Sequence, residues 1–454
     1  MTPTDSSVTL RSVFTSRAIA ACFDDAALVG GMLAFERALA RAEGACGAIP
    51  ATAARHIDAS LEDAAIDIPL LVGEARRAGT LAIPFVKHIT RHVAKRDEIA
   101  SRFVHWGGTS QDAIDTALVL CATRATTLFL ARWQALGDRL AALCDAHRST
   151  PTLARTLLQP ATPVPFGFRV ATWLDATTRT RSSLRHAADE LGVIQFGGAS
   201  GVLASLGSHG TAVADRLAAE LGLRVPSTPW HAIRDRVGRL GAELAIACGI
   251  TAKIGYDIAL LMQPEIGEAF EPDAPGRGSS SALPHKRNPV GAMYAREAGL
   301  RAPGLLANLV AGTSGELERG LGQWQTQFWT LGELFAAAGS GVEAALEVIE
   351  GLRTDADAML HNLTAMRGFV YAEALSTKMA TKLGKVEAHA RVEALCRQAQ
   401  SNGKSLVEAL RADPELAALV PPEVAAEIFA PASQFGASAA MIDRTLAAWH
   451  SKET

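Results

Sequence analysis

HWGGTSQDAIDTALVLCATRATTLFLARWQALGDRLAAL, running from His105 to Leu143, changes character part-way along. Its first eight residues are glycine, polar or aromatic, the makings of a loop that ends by capping a helix. Beyond them Ile114, Leu118, Cys121, Ala125, Leu128, Leu136, Leu140 and Leu143 recur at three- and four-residue steps or their multiples, which keeps one helical face apolar. The pattern predicts a single helix of roughly 35 residues, about 50 Å long at 1.5 Å per residue. Helices much longer than ~25 residues belong to bundles or coiled coils. This stretch alone therefore puts the chain among all-α bundle proteins.

Working outward, Arg234 to Met262 contains no proline and reads as a second long helix. Val290 to Val310 reads as a third, with Pro303 expected to kink it. Leu321 to Gly351 is a fourth, while Asp24 to Gly44 and Ile83 to Phe103 are shorter helices on the N-terminal side. A break at Gly351-Leu352-Arg353 precedes a smaller helical region with Pro414, Pro421, Pro422 and Pro431 in its loops. Strand signals are sparse. The expected organisation is three helical domains: 1–105, a central 106–350 holding the long antiparallel bundle, and 351–454.

Composition agrees. The 454 residues are 48% hydrophobic but only 6% aromatic, with three Tyr, so the interior is built from Ala and Leu and favours helices over sheets. Lys+Arg 44 against Asp+Glu 47 offers neither a nucleic-acid surface nor a basic membrane face. Cys22, Cys46, Cys121, Cys144, Cys248 and Cys396 are scattered without a Cys-x-x-Cys, as expected of reduced core thiols in a cytosolic protein. Met-Thr-Pro-Thr-Asp at the start lacks the basic and apolar regions of a signal peptide. No run reads as the ~18 apolar residues that a membrane span needs. The expectation is a soluble, cytoplasmic protein with no nucleic-acid or membrane partner. Long helices apolar on several faces also need more partners than one bundle offers, which predicts an oligomer.

Three strings carry chemistry. Gly278-Ser279-Ser280-Ser281-Ala282-Leu283-Pro284-His285-Lys286-Arg287-Asn288-Pro289 packs hydroxyls, a fixed cation and an amide between turn residues and a proline suited to a first helical position. Asn288 then falls at the N-cap, where an anion gains from the helix dipole. Neither a Gly-x-Ser-x-Gly elbow nor a Ser-x-x-Lys spacing surrounds Ser280, which argues against a nucleophilic serine hydrolase. A serine acting as base needs its pKa lowered by nearby cations and helix N-termini; Lys286 and Arg287 are the local cations. In His105-Trp106-Gly107-Gly108-Thr109-Ser110-Gln111-Asp112, glycines admit close backbone approach while hydroxyls and helix N-terminal amides suit a carboxylate. Thr109 or Ser110 also serves as a plain helix cap. The third, Ala154-Arg155-Thr156-Leu157-Leu158-Gln159-Pro160-Ala161-Thr162-Pro163, reads by itself as a proline-bounded connection.

Together these strings resemble the fumarase/aspartase superfamily. The serine loop resembles its Gly-Ser-Ser-x-Met-Pro-x-Lys-x-Asn-Pro signature, with Ser279 at the usual glycine and Leu283 at the usual methionine. The 105–112 loop is similar to His-x-Gly-x-Thr-Ser-x-Asp, and 154–163 to Gly-Arg-Thr-His-x-Gln-x-Ala-x-Pro, with Leu157 at the histidine. Pro229-Trp230-His231-Ala232-Ile233-Arg234-Asp235-Arg236, Lys286 through Met293, and Glu318-Arg319-Gly320-Leu321-Gly322-Gln323-Trp324 resemble the 3-carboxy-cis,cis-muconate cycloisomerase branch. Adenylosuccinate lyases carry glutamate where Met293 stands.

The resemblance implies three all-α domains around a central long-helix bundle. It implies a homotetramer whose active sites each draw segments from three chains. It also implies interconversion of a small polycarboxylate, 3-carboxy-cis,cis-muconate, with a carboxymuconolactone, without cofactor or metal. Ser280 would transfer the proton and His105 orient or protonate. Thr109, Ser110, Thr156, Gln159, Lys286 and Asn288 would contact substrate. The nearest alternatives are β-elimination from adenylosuccinate or another polycarboxylate, and a silent structural member such as a lens crystallin. Gly197-Gly198-Ala199-Ser200-Gly201 is a turn rather than a phosphate loop. His88 and His92, at i and i+4 beside Arg91 and Lys95, are polar surface rather than a metal pair.

Overall fold

The computed structural model describes residues 12–451. Helix α1 spans Asp25–Ala45, opened by Asp24, whose Oδ1 accepts from the Ala27 N–H at 2.7 Å. The opening stretch folds as expected into one helix, α2, over Ser110–Ala146. After it come α3 (Phe166–Leu191), α4 (Asp235–Leu261), α5 (Val290–Ala311) and α6 (Gln323–Glu350). Pro303 lies inside α5, which runs on to Ala311. The helix expected from Ile83 to Phe103 is broken instead. It ends at Ala94, and Asp97 accepts from the N–H groups of Ile99 and Ala100 to start a separate turn, Glu98–Ser101.

Two short antiparallel pairs interrupt the helices. β1 (Pro151–Thr156) and β2 (Gln159–Pro165) form a hairpin where the sequence offered only a connection. Its four prolines hid it, since proline is tolerated only where no ladder N–H is needed. β3 (Ala269–Phe270) pairs with β4 (Arg353–Thr354).

The residues group into two compact units. One comprises the chain up to Arg132 with Thr180–Gly249 and Glu297–Glu343; the other holds Trp133–Arg179, Ile250–Arg296 and everything from Ala344. Helices α2 to α6 each contribute residues to both. In the first unit Phe35 and Leu39 pack with Phe196, Leu206, Val213 and Leu217, while Met32 packs with Ile57, Phe85, Ile89 and Ile114. In the same unit Arg234 reaches both oxygens of Asp115, at 2.7 and 2.9 Å, and hydrogen bonds to Gln327. All three are buried, and such a pair is tolerated because its groups are mutually satisfied. The second unit's core gathers Leu153 with Leu363, Leu375, Met379, Val392 and Leu406.

All six cysteines are free, and four are buried. Contrary to the sequence reading, α2 and α4 are long and apolar enough to cross a membrane by length and composition. A helix buried on several faces inside a protein has the same composition as a span. Here α2 carries Gln111, Asp112, Asp115 and Thr116 fully buried among protein partners.

Candidate active site

The 105–112 loop is built around Asp112. Helix α2 starts at Ser110, so Thr109 is its cap, and Asp112 in the first turn reaches back to the Thr109 N–H at 3.0 Å. The same carboxylate accepts from the N–H groups of Gly197 (3.1 Å) and Gly198 (2.9 Å), and from His231 Nε2 at 2.7 Å. The glycine run dismissed as a turn is indeed a turn, but it is tied into this loop. Arg319 completes the cluster, donating to Thr109 Oγ1 at 3.2 Å and to the carbonyls of Gly198 and Ala199 at 3.3 and 3.2 Å. Its Nε is buried with no hydrogen-bond partner. Ser110 is half-buried beside Thr109.

His105 takes a left-handed backbone, φ 58°, uncommon for a residue with a side chain. Its Nδ1 lies 2.6 Å from Oε1 of Glu36, a residue only 2% exposed on α1. The ring lies across Gly108, where a Cβ would meet Cε1, Nδ1 and Nε2 at 3.1–3.4 Å, so any larger residue would press on the imidazole. Burial alone would lower the imidazole's pKa. The charge and hydrogen bond of Glu36, with the charge of Asp112, outweigh burial and raise it above the usual histidine value.

The other predicted residues lie in the second unit. Thr156 and Gln159 face each other as the last pair of the β1–β2 hairpin, both exposed. Between them Leu157 and Leu158 make a two-residue turn with φ 51° and 63°, and they are 98% and 66% exposed. Such turns normally call for Asn-Gly. Glu268, fully buried, anchors the hairpin. It accepts from Arg155 at 2.7 and 3.2 Å, from Thr152 Oγ1 at 2.9 Å and from Asn362 at 2.8 Å.

The serine loop, residues 278–288, is closed at its neck. Gly278 (φ 63°) accepts at its carbonyl from both the N–H and the Nδ2 of Asn288, at 2.8 and 3.1 Å. Asn288 is therefore not the cap of α5, as the sequence suggested; the helix begins one residue later, at Val290. Nor is the helix N-terminus left for a foreign anion. Glu271 accepts there from the N–H groups of Gly291 (3.0 Å) and Ala292 (2.7 Å). Glu268 and Glu271 flank the two residues of β3, so one short strand holds both the hairpin and the start of α5. Within the loop, Ser280 Oγ accepts from the N–H groups of Ala282 (3.3 Å) and Leu283 (3.1 Å). Lys286 is exposed, and Arg287 lies 3.8 Å from Asp273.

The structure thus brings His105, Thr109 and Ser110 together, and leaves Thr156 with Gln159, and Ser280 with Lys286 and Asn288, on two other segments. Sequence reasoning missed Glu36, Arg319, Glu268 and Glu271. Of these, Arg319 alone lies in a motif string; Glu36 stands beside Arg37, and Glu268 and Glu271 sit among Glu265 and Asp273, a charged pattern that marks no site by its spacing. His88 pairs with Glu74 at 3.0 Å and His92 with the Ser60 carbonyl at 3.0 Å. Among the described residues, no three His, Cys, Asp or Glu side chains converge as metal ligands.

A sequence profile for a family described as lyase matches residues 4–304, and one for the adenylosuccinate lyase C-terminus matches 368–445. The chain is 43% identical over 437 residues to a 3-carboxy-cis,cis-muconate cycloisomerase of Bradyrhizobium diazoefficiens, covering 96% of this chain and 97% of the relative. It is also 43% identical to the enzyme of that name from Pseudomonas aeruginosa, over 96% of this chain and 95% of the relative. The crystal structure of the 3-carboxy-cis,cis-muconate lactonizing enzyme from Pseudomonas putida superposes with a TM-score of 0.91 at 39% identity, covering 97% of this chain and 99% of that one. With the fold, the motif loops and these full-length likenesses in agreement, the chain belongs to the lyase family of the fumarase/aspartase superfamily.

Proposed function

We propose that this protein interconverts 3-carboxy-cis,cis-muconate and a carboxymuconolactone, a step of protocatechuate breakdown. In lactonisation a carboxylate oxygen of the substrate bonds to an alkene carbon. The displaced electron pair moves to the carbon beside another carboxyl group, and that carbon takes up a proton. Because the nucleophile is already within the substrate, holding the reacting groups in line supplies much of the acceleration. The remaining need is to stabilise charge on the carboxyl group beside the reacting carbon and to move one proton, which requires no cofactor.

The observation that carries the assignment of the proton is at Ser280. Two backbone N–H groups point at its Oγ, and such donors favour an alkoxide over a hydroxyl. Ser280 gives the proton in lactonisation and takes it back in the reverse direction. Lys286, Asn288, Thr109 and Ser110 hold substrate carboxylates, Thr156 and Gln159 contact the substrate from the hairpin, and His105 orients or protonates. The protein works as a soluble, cytoplasmic homotetramer whose sites combine segments of several chains. Ile246, Tyr256, Leu300 and Trp329 support that assembly, since all four are large, exposed side chains on long helices.

The test is loss of the conjugated diene absorbance when purified protein meets 3-carboxy-cis,cis-muconate, with adenylosuccinate run in parallel. Rapid diene loss with adenylosuccinate untouched is expected. Inertness toward the muconate overturns the assignment and leaves a lyase acting on another polycarboxylate or a catalytically silent member.

A further inference from the structure

Glu36 has no part in the roles assigned above, yet its buried carboxylate touches His105. Its carboxylate engages His105 Nδ1, which leaves Nε2 as the only other polar atom of the ring. Three features keep the ring in that pose: the left-handed backbone of His105, the bare surface of Gly108 beneath it, and a side chain only 13% exposed. This is more restraint than a loop histidine needs for packing alone. We propose that Glu36 is a positioning residue for the reaction, holding His105 as an imidazolium that presents its Nε2–H to the substrate carboxyl group on which negative charge builds.

The neighbouring charges leave this role to Glu36. Glu43 lies seven residues further along α1, on the same helical face. Both its carboxyl oxygens are buried without a hydrogen-bond partner. Burial, and then the charge of Glu36, push its pKa up to about 9, so it is neutral at pH 7. Asp112 adds to the field at His105, but its oxygens are taken by three backbone N–H groups and His231. The Arg319 guanidinium is turned to Thr109 and two carbonyls. Among the described residues Glu36 is thus the one carboxylate bonded to the ring. A cationic donor strengthens its hold as the substrate carboxyl gains charge, which a neutral imidazole does more weakly.

The substrate end of this inference rests on the proposed function; the Glu36–His105 pairing does not, and the experiment separates them. Full-length protein carrying ¹³Cε1-labelled histidine is titrated by NMR, with the His105 signal identified by its loss in His105→Gln. His105 is expected to titrate above the ordinary histidine range, and in Glu36→Gln its midpoint falls below that range. The alkaline limb of kcat/KM moves to lower pH in step. Turnover at neutral pH drops within the roughly 10²–10⁴-fold that a positioned acid supplies, and recovers as pH is lowered. Adding Glu36→Gln to His105→Gln costs nothing further. A wild-type His105 titrating in or below the ordinary range overturns the proposal, even if Glu36→Gln does not fold. So does an unmoved midpoint in Glu36→Gln, or losses that add in the double variant. If the muconate is not turned over at all, the titration still decides the pairing while the substrate reading fails.

Discussion

The 105–112 loop and the 278–288 loop are both short, polar and glycine-bearing, and the structure treats them in opposite ways. The first is wired to the interior: Asp112 is fully buried with four partners, and His105 rests against buried Glu36. The second is tied at its neck through Gly278 and Asn288, and residues 281–287 are all exposed. The contrast separates two ways of preparing charged chemistry. Groups that must hold a fixed protonation state are set in a dry network, where each charge has a stated partner. On the proposed function, the group that meets the reacting carbon, Ser280, is carried on an exposed segment with few buried contacts to lose.

Breaking the comparison should therefore give opposite signatures. Ser280→Ala is expected to lower kcat by roughly 10²–10⁴-fold while leaving the melting temperature in place, because only two backbone donors lose a partner on an exposed loop. Unchanged turnover would remove Ser280 from the mechanism. Asp112→Ala should do the reverse first. Leaving His231 and three backbone N–H groups unpaired in the interior should cost about 3–5 kcal/mol of stability by denaturant unfolding, with activity falling as a consequence.

The buried network can be sharpened by pH. Glu43 keeps its proton in the folded chain up to about pH 9, whereas in the unfolded chain it ionises in the usual carboxylate range. Between those limits the folded state binds more protons, so stability falls as pH rises, by up to about 1.4 kcal/mol per unit from this group. Glu43→Gln should flatten that slope and stabilise the protein at pH 7–8. An unaltered slope would show that Glu43 is ionised in place.

Smaller effects probe the exposed segments. At Gly278 a Cβ would sit 2.4 Å from the Asn288 carbonyl oxygen at a positive φ. Gly278→Ala should therefore open the loop's neck, at a strain of about 1–3 kcal/mol, read as lost activity with little change in core unfolding. Replacing Leu157-Leu158 by Asn-Gly suits the turn and should raise stability by about 1 kcal/mol. A fall in turnover alongside that gain would assign the two leucines to the site, and unchanged kinetics would leave them as a strained turn only.

How much of this was legible follows from the range of each interaction. Helix α2 was readable because its pattern repeats over many turns, and the 35 residues expected became 37. The β1–β2 hairpin was not, since Pro151, Pro160, Pro163 and Pro165 erase the strand signal and pairing between strands supplies it. The start of α5 differs from the expectation for a similar reason: Asn288 bonds to Gly278 while Glu271, from a separate segment, takes the N–H groups at the helix N-terminus. The residues predicted for the site were found in motif strings. Asp112 holds its own string from within, while Glu36, Glu268 and Glu271, which hold His105, the hairpin and the start of α5, come from elsewhere in the chain.

By itself the sequence determined the class of fold, the helical bundle and the three loops that carry polar chemistry, because periodicity and turn composition are local and survive in one dimension. Only the tertiary structure decided that Glu36 faces His105, that Glu268 and Glu271 hold the hairpin and the start of α5, and that Glu43 stays protonated. Those outcomes depend on burial and on distances between segments as far apart as Glu36 and His105. A carboxylate's charge state is set by what surrounds it in space, which its neighbours in the chain do not record.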